Sequence, residues 1–272
     1  MAAESAAPTI DELGEYVVHH LMDGQRWSPF PGVHLEVPRF MLLNVGALQM
    51  GTSFHVLMLF FAVALIALCF IVFYKKDATK APRGLTNALE YLVVFVRNEV
   101  CLKTMGEHWG RKFTPYMLTL FFFIFFLNYM SLVPIFGTAM ANVNITGSLA
   151  LLTLAIMLIG GLAVNGVVGF FKIFLPPNVP KPILPLLFVI EIANVPIRIF
   201  ALTIRLFANM FGGHMVIGIL IGLIIAFGGW GMLTFPLILF VYVLEVLVAF
   251  LQAYIFTMLS AVFITGMLHP EH

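Results

Sequence analysis

Residues 54–74 form the first long apolar run of the chain, and the basic stretch KKDATKAPR follows from Lys75. From 113 to 171 there is no Asp, Glu, Lys, Arg or His at all. Two further apolar runs, about 186–227 and 232–267, flank GGWG at 228–231. Roughly 20 apolar residues cross a bilayer once, so the pattern predicts spans over 54–74, 113–136 and roughly 146–171. Each of the last two runs is longer than one perpendicular span and must tilt, lie partly flat or break. The expected fold is an all-α polytopic membrane protein with about five membrane-embedded helices. Its last two form a long, strongly tilted hairpin over about 183–267.

A different period lies between the first two spans. Leu85, Leu89, Leu92, Val93, Val96 and Val100 fall on a narrow stripe, with Glu90, Arg97 and Asn98 away from it. That predicts an amphipathic helix over about 85–104, lying in the membrane interface. Residues 1–50 read as a tail ahead of a membrane domain over 51–272. In the tail, TIDE at 9–12 fits a capping box, and Ile10, Leu13, Val17 and Leu21 share a helical face. WSPFPGVHLEVPRF, at 27–40, reads as turn and short extended pieces.

Composition agrees with lipid as the solvent. Of 272 residues, 61% are hydrophobic and 10% charged, too few charges to cover a soluble surface of this size. A net charge of +1 gives no general attraction to nucleic acid. Cys69 and Cys101 are isolated and read as packing residues. His19 and His20 are adjacent, point to different sides of a helix, and read as solvated surface; no metal or cofactor set is expected. The first fifty residues lack the features of a signal peptide, and their acidity argues against a transit peptide. Basic residues concentrate at 75–112 and at Lys172 and Lys181, while 137–145 has none. The positive-inside rule then puts those basic segments and the C-terminus in the cytoplasm, and the N-terminus and 137–145 outside.

The last two runs carry Glu191, Asn194, Arg198, Arg205, Asn209, His214, Glu245 and Gln252. Ionisable groups inside a span face protein or water and mark ion or substrate paths by default. Arg198 fits a helix-end residue snorkelling to the interface as well as a path residue, and Asn194 and Asn209 fit interhelical glue as well. Arg205 lies too deep in its run to snorkel. Glu191, Arg198 and Arg205 are spaced by sevens and share a stripe, whereas His214 lies on nearly the opposite side, ~13 Å further along the axis. Folding the chain back at Gly228-Gly229 levels His214 with Glu245 and Arg205 with Gln252, two polar pairs in one antiparallel register. An imidazole facing a carboxylate can pass a proton near neutral pH. An arginine keeps its proton, so it can attract a carboxylate but cannot relay protons itself. Placed between two offset polar regions, it favours ionisation of a moving acid and blocks a direct leak. Glu191 and Glu245 are already placed on the flanking paths, which implies a second subunit that brings the acid.

At these residues the chain resembles a known family. ALTIRLFANMFGGH (201–214) followed by LEVLVAFLQAYIFTMLSAVF (244–263) is similar to subunit a of the bacterial F-type ATP synthase. FFFIFFLNYMSLVP (121–134) and NVNIT (142–146) look like that family too, and the likeness covers roughly 50–272. The resemblance implies that Arg205 faces a rotating ring of c subunits, with Asn209 and Gln252 as its polar neighbours. It implies that His214 and Glu245 line the outer proton half-channel; some members carry this pair exchanged. Glu191 then belongs to the cytoplasmic half-channel, with Asn128 and Asn194 as further polar path residues. Ser131 stands where other members have an acid, which argues against an outer-channel role there. The implied partners are the c-ring, peripheral-stalk b subunits, the lipid bilayer and, indirectly, a soluble ATPase sector; the implied place is a bacterial inner membrane. The chain itself is expected to be no enzyme, since it holds no GxxxxGK[ST] phosphate loop. A secondary transporter binding an anion at Arg205 would call for inverted repeats, and none is visible. An intramembrane enzyme would call for G-x-S-x-G, H-E-x-x-H or a paired-Asp motif, and none occurs.

Overall fold

The computed structural model of the chain describes residues 26–30, 33–36, 41–45, 48–51, 53–73, 84–133, 135–175, 180 and 182–268. The short helix expected near 10–21, His19 and His20, the basic run from Lys75 to Arg83, and Lys181 lie outside these residues.

Two short antiparallel hairpins come first. β1 (Arg26–Phe30) pairs with β2 (Val33–Glu36), and β3 (Met41–Val45) pairs with β4 (Leu48–Gly51). The first matches the extended pieces expected around WSPFP; the second was not expected, because MLLNV has no alternation to betray a strand. From Phe54 onward every element is helical. α1 (Phe54–Leu68) runs into a π-helical turn, Cys69–Phe73, and its start is capped by Ser53, whose Oγ accepts the Val56 N–H at 3.4 Å. α2 (Leu85–Phe95) continues through a π-helical turn, Val96–Leu102, into α3 (Lys103–Ser131). α4 (Val143–Ile173) follows a short 3-10 turn at Ala139–Ala141. α5 (Leu184–Phe227) and α6 (Phe235–Leu268) are joined by the 3-10 turn Gly228–Thr234. Among the described residues, five helical stretches are long and apolar enough to cross a membrane.

Two helices break where the apolar pattern gives no warning. Gly106 in α3 has φ 73°, ψ 176°, and Gly166 in α4 has φ 65°, ψ 176°. That region is open in practice only to glycine. The break at Gly106 ends the stretch that begins with α2 and starts the second spanning helix well before the expected residue 113. The same helix stops at Ser131 and not at 136, because the sequence reaches Pro134, which carries no N–H to continue a helix. Beside the second break, Asn165 ties α4 to the last turn of α6. Its Nδ2 donates to the Gly161 oxygen at 3.1 Å and the Met267 oxygen at 2.9 Å.

By packing, the described residues fall into two compact units. The first gathers those up to Leu68 with Phe123–Asn142 and Phe207–Gln252; the second gathers Cys69–Phe122, Val143–Leu206 and those from Ala253 onward. In the first, Ala62, Ile124, Asn128, Met210 and Ala249 are completely buried. In the second, Val96, Val100, Cys101, Met117, Phe121 and Phe256 are. Leu89, Val96 and Val100 of the amphipathic stripe are thus inward, while Leu85 is 55% exposed and does not belong to the buried face. Elsewhere the exposed surface is heavily apolar, as in Phe60, Ile71, Val168 and Phe240, which is what lipid contact demands.

Gly166→Ala is expected to lower the midpoint of thermal unfolding in detergent, through a backbone strain of about 1–3 kcal/mol. Gly212→Ala, at a helical glycine with nothing within 4 Å of the added carbon, is expected not to lower it. Equal midpoints for the two variants would remove the break at Gly166 as a fixed feature.

Candidate functional site

In the first unit α5 and α6 run antiparallel, and the register expected from the turn is met by one pair. His214 Nε2 lies 3.8 Å from Glu245 Oε1, with side chains 16% and 5% exposed. The separation is within ion-pair range and too long for a hydrogen bond. Neither oxygen of the buried Glu245 carboxyl group has a hydrogen-bond partner among the described residues. Buried polar atoms of this kind call for water or for another molecule.

Gly213 makes this placement possible. A Cβ at that position would strike Glu245 Oε1 and come within 2.9 Å of Cδ. The carboxyl group therefore rests against bare α5 backbone, one residue before the imidazole that faces it. Sequence reasoning passed over Gly213, because the need for a missing side chain depends on the distance between two helices.

Asn128 on α3 is fully buried; its Nδ2 donates to the Ala249 oxygen at 3.1 Å, and its Oδ1 has no partner among the described residues. Ser131 is held inward, donating to the Asn128 oxygen at 2.6 Å, which fits packing rather than ion conduction. Tyr129 and Tyr242 bind α3 to α6 by hydroxyl bonds to the Val246 and Leu132 oxygens, at 3.3 and 2.9 Å. Gln252 is 4% exposed, its Nε2 unbonded among the described residues, and Asn209 is half-buried. His55, also missed, is completely buried in the first turn of α1, with Nδ1 3.4 Å from Asn142 Nδ2. A single histidine at the rim of an apolar run carries no spacing that could have singled it out.

The second unit holds Glu191, Asn194, Arg198 and Arg205. Glu191 and Arg198 line a partly open cavity of about 600 Å³, together with Thr104, Val195, Phe263 and Thr265. The Arg198 guanidinium lies 5.6 Å from the centre of the Phe263 ring. Asn194 is half-buried and is not among the cavity's lining residues. Arg205 is exposed, and among the described residues it has no hydrogen bond or ion pair. The expected partner of its register, Gln252, falls in the other unit.

A charge so placed in an apolar helix, with a buried imidazole–carboxyl pair further along the chain, invites comparison with known proteins. Residues 56–265 match the family described as ATP synthase A chain. The chain belongs to that family. It is 40% identical to ATP synthase subunit a of Anaeromyxobacter dehalogenans strain 2CP-C over 278 residues, covering 95% of this chain and 72% of that protein. To the subunit a of Chloroherpeton thalassium it is 39% identical, covering 94% and 77%. To that of Myxococcus xanthus it is 37% identical, covering 87% and 80%. Membership of this family makes the chain a component of a multi-subunit ATP synthase. Bacterial relatives and five membrane-length helices fit a protein of a bacterial inner membrane.

Gly213→Ala is expected to cut ATP synthesis by membranes roughly tenfold while the subunit still assembles, since overpacking costs about 1–3 kcal/mol and here displaces the Glu245 carboxyl group. ATP synthesis at the parent rate in Gly213→Ala would show that the close approach is not needed.

Proposed function

We propose that this chain is the membrane stator against which a ring of c subunits turns, and that it conducts protons by two offset half-channels. A proton enters from outside past Glu245 and His214 and neutralises a carboxylate carried on the ring. The ring turns through lipid until that carboxylate reaches the cytoplasmic half-channel beside Glu191 and releases its proton. Arg205 stands between uptake and release. Its fixed charge draws the arriving carboxylate into ionisation and gives protons no route of their own. The N-terminus then lies outside and the C-terminus in the cytoplasm, and peripheral-stalk b subunits hold the chain against the torque.

One observation carries this reading. Arg205 is exposed and, among the described residues, unbonded, although a charge in a membrane helix is costly, by about 3 to above 10 kcal/mol, unless a partner meets it. A foreign carboxylate supplies that partner. Further support comes from the Glu245 carboxyl group, buried against Gly213 with both oxygens unbonded among the described residues and an imidazole 3.8 Å away, a group able to accept and hand on a proton.

Arg205→Lys is expected to abolish ATP synthesis coupled to proton flow, because lysine can lose its proton in a dry site. The check is ATP-driven acidification of inverted membrane vesicles, and parent-level pumping in this variant would remove Arg205 from the gate. Exchanging the two residues of the outer pair, His214→Glu with Glu245→His, is expected to be milder than either change alone. The measurement is proton flux through the membrane sector after the soluble ATPase is stripped. A double variant worse than both singles would argue against direct coupling.

A further inference from the structure

Glu191 and Arg198 put opposite charges on the wall of one cavity of about 600 Å³. They sit seven residues apart on α5, two turns or ~10.5 Å along the axis, and among the described residues neither forms an ion pair. The guanidinium is instead placed over the Phe263 ring at 5.6 Å, an arrangement the ring's negative face favours. Thr104 and Thr265 add hydroxyl groups to the same wall. The two charges share a space without closing on each other.

We propose that Arg198 is a specificity-determining residue that balances Glu191 and so keeps metal cations from collecting in this cavity. The inference rests on the reading of the cavity as the cytoplasmic half-channel. A carboxylate with nearby hydroxyls is a suitable oxygen donor set for a hard cation. A cleft lined by one sign of charge raises the local concentration of the opposite ion tenfold or more, roughly, because low-dielectric walls focus the field. Without Arg198 the cavity would be such a cleft. Sodium or potassium ions would gather where protons have to leave. The guanidinium cancels that attraction at a distance, while its stacking on Phe263 keeps it off the carboxylate, which stays open to a proton. A proton hops between water and carboxylate and needs no such accumulation; a metal ion has to enter bodily. Arginine suits the task because its planar guanidinium can stack on the Phe263 ring while its charge stays exposed to the cavity.

The test uses the assembled ATP synthase in inverted membrane vesicles, whose cytoplasmic face is outward. Thr265→Cys places a thiol on the cavity wall, with Cys69→Ser to remove the half-buried native thiol and buried Cys101 left in place. The rates of labelling by a cationic and an anionic methanethiosulfonate reagent are compared. Arg198→Gln is expected to raise the cationic-to-anionic ratio about tenfold at low salt, and the gain should vanish near ~1 M salt, where charges are screened within about 3 Å. Glu191→Gln, with Arg198 intact, is expected to move the ratio the opposite way. Arg198→Lys, which keeps a positive charge at this exposed position, should stay near the parent. In Arg198→Gln, ATP-driven acidification should also fall when sodium replaces choline at constant ionic strength, whereas the parent is indifferent. A ratio unchanged in both Arg198→Gln and Glu191→Gln overturns the proposal, as does a thiol at 265 that neither reagent reaches, or acidification in Arg198→Gln indifferent to sodium. Glu191→Gln that pumps protons as the parent does would remove the half-channel reading instead, and the labelling ratio would still report the charge balance by itself.

Discussion

The cost of keeping a guanidinium among apolar side chains is the constraint that organises this chain. Arginine cannot escape that cost by giving up its proton, as a buried lysine can, whereas a buried carboxylate escapes it by taking one up. It has to be met by an opposite charge, by water or by an acceptor. Arg205 finds no opposite charge and no acceptor among the described residues of its own chain, which is why the proposed function brings it a carboxylate from outside. On that proposal the chain supplies one half of a contact, and its other polar groups are read in relation to it.

Those polar groups are treated quite differently from the arginine. Glu245 and Asn128 are drawn inside the first unit, with side-chain oxygens that no group among the described residues satisfies. The tyrosines that join α3 to α6 give their hydroxyls to main-chain oxygens and fix the distance between helices. In the second unit Thr153 is shared between Tyr116 and Ser260, at 3.1 and 3.4 Å, and Asn165 ties α4 to the last turn of α6. These hydroxyl and amide groups find their acceptors, whereas both Glu245 carboxyl oxygens and Asn128 Oδ1 find no partner among the described residues.

Much of this was legible in the chain as written. Apolar runs announce spans because lipid leaves a helix no other way to satisfy its backbone. The level of His214 with Glu245 could be read because a helical period and a glycine turn together fix a register. What stayed hidden depends on approach and not on pattern. Gly166 sits in an apolar stretch where glycine is common and Gly106 in a polar one, and only their backbone angles reveal a break. Leu85 fits the stripe by spacing, yet faces outward. His55 stands alone in its first helical turn, and its burial follows from the packing of α1 near Asn142, which no local signal encodes.

Gly213 has a consequence for how such a sequence can change. With the carboxyl group on α6 and the ring on α5, the one missing side chain belongs just before the ring, because the acid folds its head onto that spot. A descendant that swapped the two functional groups would press an imidazole there instead, flat and wider than a carboxylate. The swap would then ask for new shapes in the helix facing it, and substitution at these three sites should travel as a group through lineages rather than one at a time.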